Sequence, residues 1–92
     1  MKISKEKEDK ISEQILAFLY SVSPKPVFTS HIAKEIARDE EFTKKILLDL
    51  KKKGMVLEID KNQEGKEYIK RARWALSSTV YSAYRNNQNN IY

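Results

Sequence analysis

The sequence predicts a mainly α-helical domain that carries a short β-ribbon of two or three strands. In the first half of the chain, apolar residues recur at intervals of three and four, as they do on one face of a helix. Residues that cap helices precede each of these periodic stretches. After Gly54 the apolar residues instead alternate with polar ones, which is typical of strands.

The first predicted helix begins after Ser4, whose side chain can cap it, and the acidic residues that follow suit the positive end of the helix dipole. Its apolar positions form one stripe: Ile11, Ile15, Phe18 or Leu19, and Val22. Pro24 and Pro26 end this helix, because proline cannot continue a helix interior. We therefore expect a long amphipathic helix that buries one face.

A short second helix follows a predicted two-residue strand, Val27–Phe28. Thr29 or Ser30 is expected to cap this helix. Its buried residues are expected to be Ile32, Ala33 and Ile36. Ala37 stands where such helix pairs usually have glycine, so the turn has to form without a residue that favours positive φ.

The third predicted helix is capped by Asp39 and ends at Gly54, which suits the left-handed position after a helix. Four apolar residues form its inner face: Phe42, Ile46, Leu47 and Leu50. The acids at 39–41 crowd the start of the helix, where its dipole favours them. The three lysines at 51–53 either clamp phosphate or form a solvated helix end.

The ribbon that follows is read as two strands joined by a tip over residues 61–66. In the first strand, Met55–Asp60, the alternating apolar residues are Met55, Leu57 and Ile59. In the return strand, Glu67–Leu76, the residues predicted to face inward are Tyr68, Ala72, Trp74 and Leu76. Those predicted to face outward are Ile69, Arg71 and Arg73.

A fourth helix is expected to start at Ser77 or Ser78, with Val80, Ala83 and Tyr84 on one face and Tyr81 beside them. The two tyrosines are expected to pack on the first helix or to line a dimer interface. The last seven residues, mostly asparagine, lack the apolar content that packing needs. The prediction is one domain over residues 1–85, followed by a disordered polar tail over 86–92.

The chain has a net charge of +5, and the uneven distribution of this charge along the sequence indicates what kind of partner the protein binds. Residues 1–43 contain seven basic and eight acidic side chains, whereas residues 44–92 contain eleven basic and five acidic ones. The positive excess therefore lies in the third helix and the ribbon. Such an asymmetry favours a polyanionic partner on that side, although lysine also serves as a general solubilising residue.

The composition also excludes several classes of function. The chain contains no cysteine, so it has no disulfides, no thiolate metal sites and no cysteine nucleophile. No apolar run approaches the ~20 residues of a membrane span, and the N-terminus does not resemble a secretion signal. His31 is the only histidine, and two glycines cannot build a phosphate loop. We expect a cytoplasmic protein without enzymatic activity, cofactor or metal.

Three short patterns point to a family. These are Ile32-Ala33-x-x-Ile36, Leu50-x-x-x-Gly54-Met55-Val56, and Trp74-Ala75-Leu76-Ser77. Together they resemble winged helix-turn-helix regulators of the MarR and PadR kind, and small archaeal or viral DNA-binding proteins. The resemblance covers about half of the chain directly. It implies a recognition helix at 39–53 and a basic wing at 55–76.

By this resemblance, Thr43, Lys44 and Lys45 face the major groove of double-stranded DNA, together with Leu48. The wing tip, near the backbone or minor groove, is formed by Lys61, Asn62, Gln63 and Lys66. Arg71 and Arg73 lie on the outer face of the wing. Arginine reads guanine edges and narrow minor grooves well, which favours this pair as a DNA contact. Pairing with Glu58 or Glu67 across the hairpin is the alternative.

The predicted function is therefore that of a DNA-binding transcriptional regulator, acting as a homodimer through the first helix, the fourth helix, or both. A second hypothesis is a winged-helix module that binds another protein in a transcription or replication complex. The acids at 39–41 and the apolar Leu48 favour this second hypothesis. RNA binding is a weaker third option, because no aromatic pair is placed for base stacking on an exposed sheet.

Overall fold

A computed structural model describes residues 4–59 and 72–89, and shows a mainly α-helical domain with a three-stranded sheet. The predicted fold class is confirmed. The elements in chain order are α1 (Lys5–Val22), β1 (Val27–Phe28), α2 (Thr29–Glu35), α3 (Glu40–Lys52), β2 (Val56–Ile59), β3 (Arg73–Leu76) and α4 (Ser78–Asn89). The predicted wing tip (61–66), Asp60, Glu67, Tyr68, Ile69 and Arg71 lie outside the described residues.

One apolar core joins α1, α2 and α3 to the sheet, and Trp74 lies within it with 0% of its surface exposed. The indole Nε1 of Trp74 donates a hydrogen bond of 2.7 Å to the Oγ1 of Thr29. The core residues are Ile11, Ile15, Leu16, Leu19, Val27, Ile32, Ile46, Leu47, Leu50, Val56, Trp74 and Leu76. The predicted inward orientation of Trp74 and Leu76 is confirmed.

The sheet is antiparallel with strand order β1-β3-β2, so β3 lies in the middle. Val56 is opposite Leu76 and is buried, whereas Leu57 is opposite Ala75 and is 52% exposed. The prediction that this strand begins at Met55 is wrong. The backbone N–H of Met55 is used to close α3, where it donates to Leu50, and the strand therefore begins one residue later.

The start of α2 also differs from the prediction that Thr29 or Ser30 caps it. Phe28 occupies the cap position and has no capping side chain, because β1 runs directly into α2. Thr29 is instead the first helical residue, and its buried hydroxyl accepts the hydrogen bond from Trp74. The side chain of Thr29 therefore bonds to Trp74 in the core and does not cap the helix.

Helix α4 is capped by Ser77, whose Oγ accepts from the backbone N–H of Val80 at 3.3 Å. Its tyrosines pack on α1: the rings of Tyr81 and Tyr84 lie 5.4 and 5.3 Å from that of Tyr20. Burial, together with the charge of Glu13, raises the pKa of Tyr84 above its ordinary value. The first of the two expectations for these tyrosines, packing on the first helix, is confirmed.

Helix α4 continues through Asn89 and so includes the first four residues of the predicted polar tail, 86–92. The composition of this segment is poor for burial but still allows an exposed helix to extend from a capped and packed start. Residues 90–92 lie outside the described part of the chain.

Two helices end in the same hydrogen-bonded motif, one at Ala37 and the other at Gly54. In each case two backbone N–H groups after the helix donate to carbonyls of its last turn: Ala37 to Lys34, Arg38 to Ala33, Gly54 to Lys51 and Met55 to Leu50. This motif requires a left-handed residue, and φ is 57° at Ala37 and 76° at Gly54. Alanine thus adopts in the helix-helix turn a conformation that glycine would adopt without strain.

We predict that Ala37→Gly stabilises the domain by about 0.5–1 kcal/mol. Glycine removes the steric cost of the left-handed conformation at this position, and this gain is larger than the entropic cost of a more flexible unfolded chain. The matched change, Gly54→Ala, should destabilise the domain by about 1 kcal/mol. Among the residues that the structure describes, no atom lies within 4 Å of a methyl group placed at Gly54, so that loss would come from the backbone. Urea unfolding of both variants measures the effect, and a destabilised Ala37→Gly would contradict this explanation of the turn.

Candidate nucleic-acid interface

Helix α3 has one face fixed in the core and one face open to solvent. Ile46, Leu47 and Leu50 are buried against the rest of the domain. At its start, the Oδ2 of Asp39 accepts the backbone N–H of Phe42 at 3.0 Å. The predicted cap is confirmed. Asp39, one of the three acids at the start of the helix, therefore stabilises the helix.

Thr43 does not belong to the open face. Its side chain is 0% exposed, and its Oγ1 donates a hydrogen bond of 2.8 Å to the carbonyl oxygen of Asp39. The prediction that Thr43 faces outward toward a DNA groove is wrong. Thr43 lies three residues before Ile46 and four before Leu47, which puts it on the inner face of the helix. This spacing indicates the inner face, whereas the family resemblance alone implies the outer one.

Lys44 and Lys45 are exposed, as predicted, and Leu48 follows them one turn later with 42% of its surface exposed. A shallow hollow of about 460 Å³ opens on this side of α3. It is lined by Asp39, Glu41, Phe42, Lys44, Lys45 and Leu48. The open face therefore combines two cations, an apolar surface and a carboxylate-bearing rim. Phe42, predicted only as a core residue, contributes to this surface because it is half-buried.

Two of the three lysines at the end of α3 are held by carboxylates of the protein. Lys51 Nζ lies 2.8 Å from Glu58 Oε1, and Lys53 Nζ lies 3.1 Å from Asp49 Oδ2. Lys52 is exposed. The Lys53–Asp49 pair is exposed on both sides and contributes only about 0–1 kcal/mol, so a phosphate can replace Asp49 at little cost. The side chain of Glu58 is only 20% exposed, so its pair with Lys51 is costlier to break.

On the sheet, Arg73 alternates with the buried Trp74 and therefore lies on the face opposite to the core. It is half-buried, and its Cα partners are Phe28 on one side and Ile59 on the other. Glu58, one of the two acids considered as its alternative partner, accepts a hydrogen bond from Lys51. The other predicted wing residues, Lys61, Asn62, Gln63, Lys66 and Arg71, lie outside the described ranges.

His31 is exposed, and its ring lies edge-on to that of Phe18 at 5.3 Å. Within residues 4–59 and 72–89, no three histidine or acidic side chains are grouped as a metal site would require. In the same ranges, no helix combines the length and the apolar content needed to cross a membrane.

No protein-family model and no curated protein matches the sequence, whereas several solved structures match the fold. The Zalpha domain of PKZ from Carassius auratus, solved in complex with Z-DNA, is 23% identical with a TM-score of 0.60, over 76% of this chain and 97% of that domain. MepR of S. aureus, solved with DNA, is 18% identical with a TM-score of 0.69, over 94% of this chain and 70% of MepR. The fold is a winged helix-turn-helix.

A MarR family transcriptional regulator from Silicibacter pomeroyi is also similar, at 12% identity and a TM-score of 0.68. The match covers 94% of this chain but only 54% of that regulator. The predicted resemblance to winged-helix proteins is thus confirmed at the level of the fold. In this winged helix, α2 and α3 form the helix-turn-helix, and the exposed face of α3 is the surface that Lys44, Lys45 and Leu48 occupy.

Proposed function

We propose that this winged helix binds double-stranded DNA and regulates transcription, with α3 as the recognition helix in the major groove. The observation that carries this proposal is the exposure of Lys44 and Lys45 on α3, the helix whose opposite face the core holds rigidly. Cations on a rigid helix neutralise phosphates without a large loss of conformational freedom. Similarity of fold to proteins solved with DNA supports the proposal.

The basic second half of the chain extends the proposed contact surface beyond α3. Lys52 and the two ion-paired lysines beside it lie at the end of the same helix. We infer that the wing adds Arg73 and, from the sequence, Lys61, Asn62, Gln63, Lys66 and Arg71. Most of the affinity would then come from neutralised phosphates and would decrease steeply with salt.

We also propose that the protein is cytoplasmic and binds as a homodimer through α1, α4 or both. A two-fold arrangement would present two recognition helices to successive turns of the duplex. The exposed residues of α1 and the side of α4 away from Tyr20 are the surfaces available for this contact. Light scattering of the purified protein measures the mass directly, and a monomer at micromolar concentration would contradict the dimer.

Fluorescence anisotropy of a generic duplex, measured over a salt series from about 50 to 200 mM, tests the proposal. We expect affinity to decrease log-linearly with salt. The double variant Arg71→Glu/Arg73→Glu should bind far more weakly if the wing contributes. Lys7→Glu/Lys10→Glu on α1 makes the same change in net charge at exposed positions. It is the matched control provided that its mass in light scattering equals that of the wild type, since α1 is also a proposed dimer surface. Loss of binding in both variants alike would show that only net charge matters.

A second candidate function, binding to another protein, is favoured by the hollow on α3. Glu41, Phe42 and Leu48 line it together, and an apolar surface with acids at its rim suits a protein partner as well. The same titration separates the two functions. A folded protein that fails to bind duplex even at low salt would exclude DNA binding and leave the hollow as a protein-binding surface.

Because Thr43 is buried, a substitution at this position tests whether its side chain packs in the core or contacts DNA. Thr43→Val should leave duplex affinity within about twofold, because a buried side chain cannot reach DNA. Stability should change by less than about 1 kcal/mol, since the shape is kept. The Asp39 carbonyl also keeps its hydrogen bond from the Thr43 backbone N–H. Anisotropy and urea unfolding measure the two quantities. A tenfold loss of affinity in a folded variant would contradict the burial of Thr43.

A further inference from the structure

We propose that Leu48 reads thymine, by packing against the C5-methyl group that thymine presents in the major groove; this inference rests on the proposed DNA binding by α3. Leu48 would then be a specificity-determining residue, whereas Lys44 and Lys45 bind the backbone of any sequence. The ligand class is duplex DNA with thymine at the positions that α3 faces.

The position of Leu48 on α3 is the first observation. The other leucines and isoleucine of this helix, Ile46, Leu47 and Leu50, are buried, whereas Leu48 is 42% exposed. The core therefore does not use the full apolar surface of Leu48. Leu48 follows Lys44 by four residues and Lys45 by three, so the three side chains share one face of the helix. An apolar group thus lies beside the two proposed phosphate-binding cations.

The shape and charge of the surroundings are the second observation. Leu48 and Phe42 supply the apolar lining of the hollow, which Asp39, Glu41, Lys44 and Lys45 also line. The two carboxylates offset the two lysines, so the hollow itself has no excess positive charge with which to attract a phosphate group. Among the groups at base edges in the major groove, the thymine methyl is the one that is apolar. A methyl group that enters this hollow loses contact with water and gains contact with carbon atoms.

The expected size of the effect follows from the burial of one methyl group. Removing such a group from water contributes about 0.8 kcal/mol, which corresponds to about a fourfold difference in affinity for each contacted thymine. This is small beside the contribution of the lysines but is confined to one base type. Leu48 therefore raises the affinity for A·T-containing sites without being required for binding.

Two synthetic duplexes of equal length test the inference without knowledge of a natural target. One contains alternating dA and dT, and in the other every dT is replaced by dU, which removes only the C5-methyl. Anisotropy at fixed low salt gives the ratio of the two dissociation constants. We expect the wild type to prefer the thymine duplex about fourfold or more, and Leu48→Ala to bind both duplexes equally.

Leu57→Ala is the matched control, because it truncates another exposed leucine, which lies on the sheet and is 52% exposed. Because Leu57 lies in the proposed wing, its truncation changes the affinity for both duplexes by the same factor, if at all, and should keep the wild-type ratio. Equal binding of the two duplexes by the wild type would overturn the inference while leaving DNA binding intact. So would a thymine preference that survives in Leu48→Ala. Failure of the folded wild type to bind either duplex would overturn the proposed function and, with it, the reading of thymine.

Discussion

Trp74→Ala should unfold the domain or leave it marginally stable, with an expected loss of about 3–5 kcal/mol in the free energy of unfolding. Trp74 lies on the central strand, is fully buried, and is opposite Val27 on one neighbouring strand and Glu58 on the other. Its removal would leave a cavity at the place where the sheet meets the helices. A domain of this size has a total stability of about 5–15 kcal/mol, so the loss is a large part of it. Urea unfolding followed by circular dichroism measures the change.

Two milder variants separate the packing of Trp74 from its hydrogen bond. Thr29→Val removes the acceptor of the indole N–H, and we expect a loss of about 1–3 kcal/mol because a buried donor is left without a partner. Trp74→Phe keeps an aromatic ring and should cost less than Trp74→Ala. If Trp74→Ala lost less than about 1 kcal/mol, the central position of this side chain in the core would be refuted.

Lys44→Glu/Lys45→Glu should weaken binding to a generic duplex by about 100-fold or more at 0.1 M salt. Each lysine that neutralises a phosphate contributes about 0.9 to the slope of log affinity against log salt, which is close to tenfold per contact at this concentration. Reversal of the charge adds repulsion to the loss of the contact. Both side chains are exposed, so the variant should remain folded. Anisotropy measures the dissociation constant.

The control for this variant is again Lys7→Glu/Lys10→Glu, which changes the net charge equally on α1 and is used once light scattering shows that it keeps the wild-type mass. We expect this control to lose less than tenfold, since its charges act on DNA only at long range. Equal losses in the two double variants would contradict a specific role for α3. An unchanged affinity in Lys44→Glu/Lys45→Glu would exclude this helix from the interface.

Features that depend on neighbours in the chain were predictable from the sequence. Ser4, Asp39 and Ser77 cap their helices as expected, because an N-cap acts on a backbone N–H only three residues away. Gly54 ends α3 in the left-handed conformation for an equally local reason. The alternation that places Trp74 inside also holds, since a bulky aromatic residue dominates the choice of face.

Features that depend on tertiary contacts were not predictable in the same way. In β2 the apolar residues Leu57 and Ile59 alternate with Val56 and Glu58, and this alternation does not show which face is buried. In the structure Val56 is buried and Leu57 is exposed, and Glu58 forms an ion pair with Lys51 of α3. A strand of four residues is too short for its pattern to decide between the two faces.

In the candidate site, too, some positions were predictable from the sequence and others were not. Lys44, Lys45 and Leu48 are on the exposed face of α3 as expected, because the apolar spacing of the helix defines its inner face. The family resemblance implies an outward position for Thr43, whereas its spacing from Ile46 and Leu47 indicates the inner face that the structure shows. Its hydroxyl is satisfied within the helix by the Asp39 carbonyl, which allows a polar residue to be buried without penalty.

The most direct measurement of where DNA binds is a titration of the isotope-labelled protein with a short duplex, followed by the backbone amide signals in NMR. The proposal predicts that the largest shifts fall on α3, especially at Lys44, Lys45 and Leu48. Shifts are also expected on the residues of β2 and β3 that lie nearest in sequence to the wing tip. Signals of α1, such as those of Lys7 and Lys10, should move little. Shifts that concentrate on α1 or α4 and leave α3 unchanged would contradict α3 as the recognition helix.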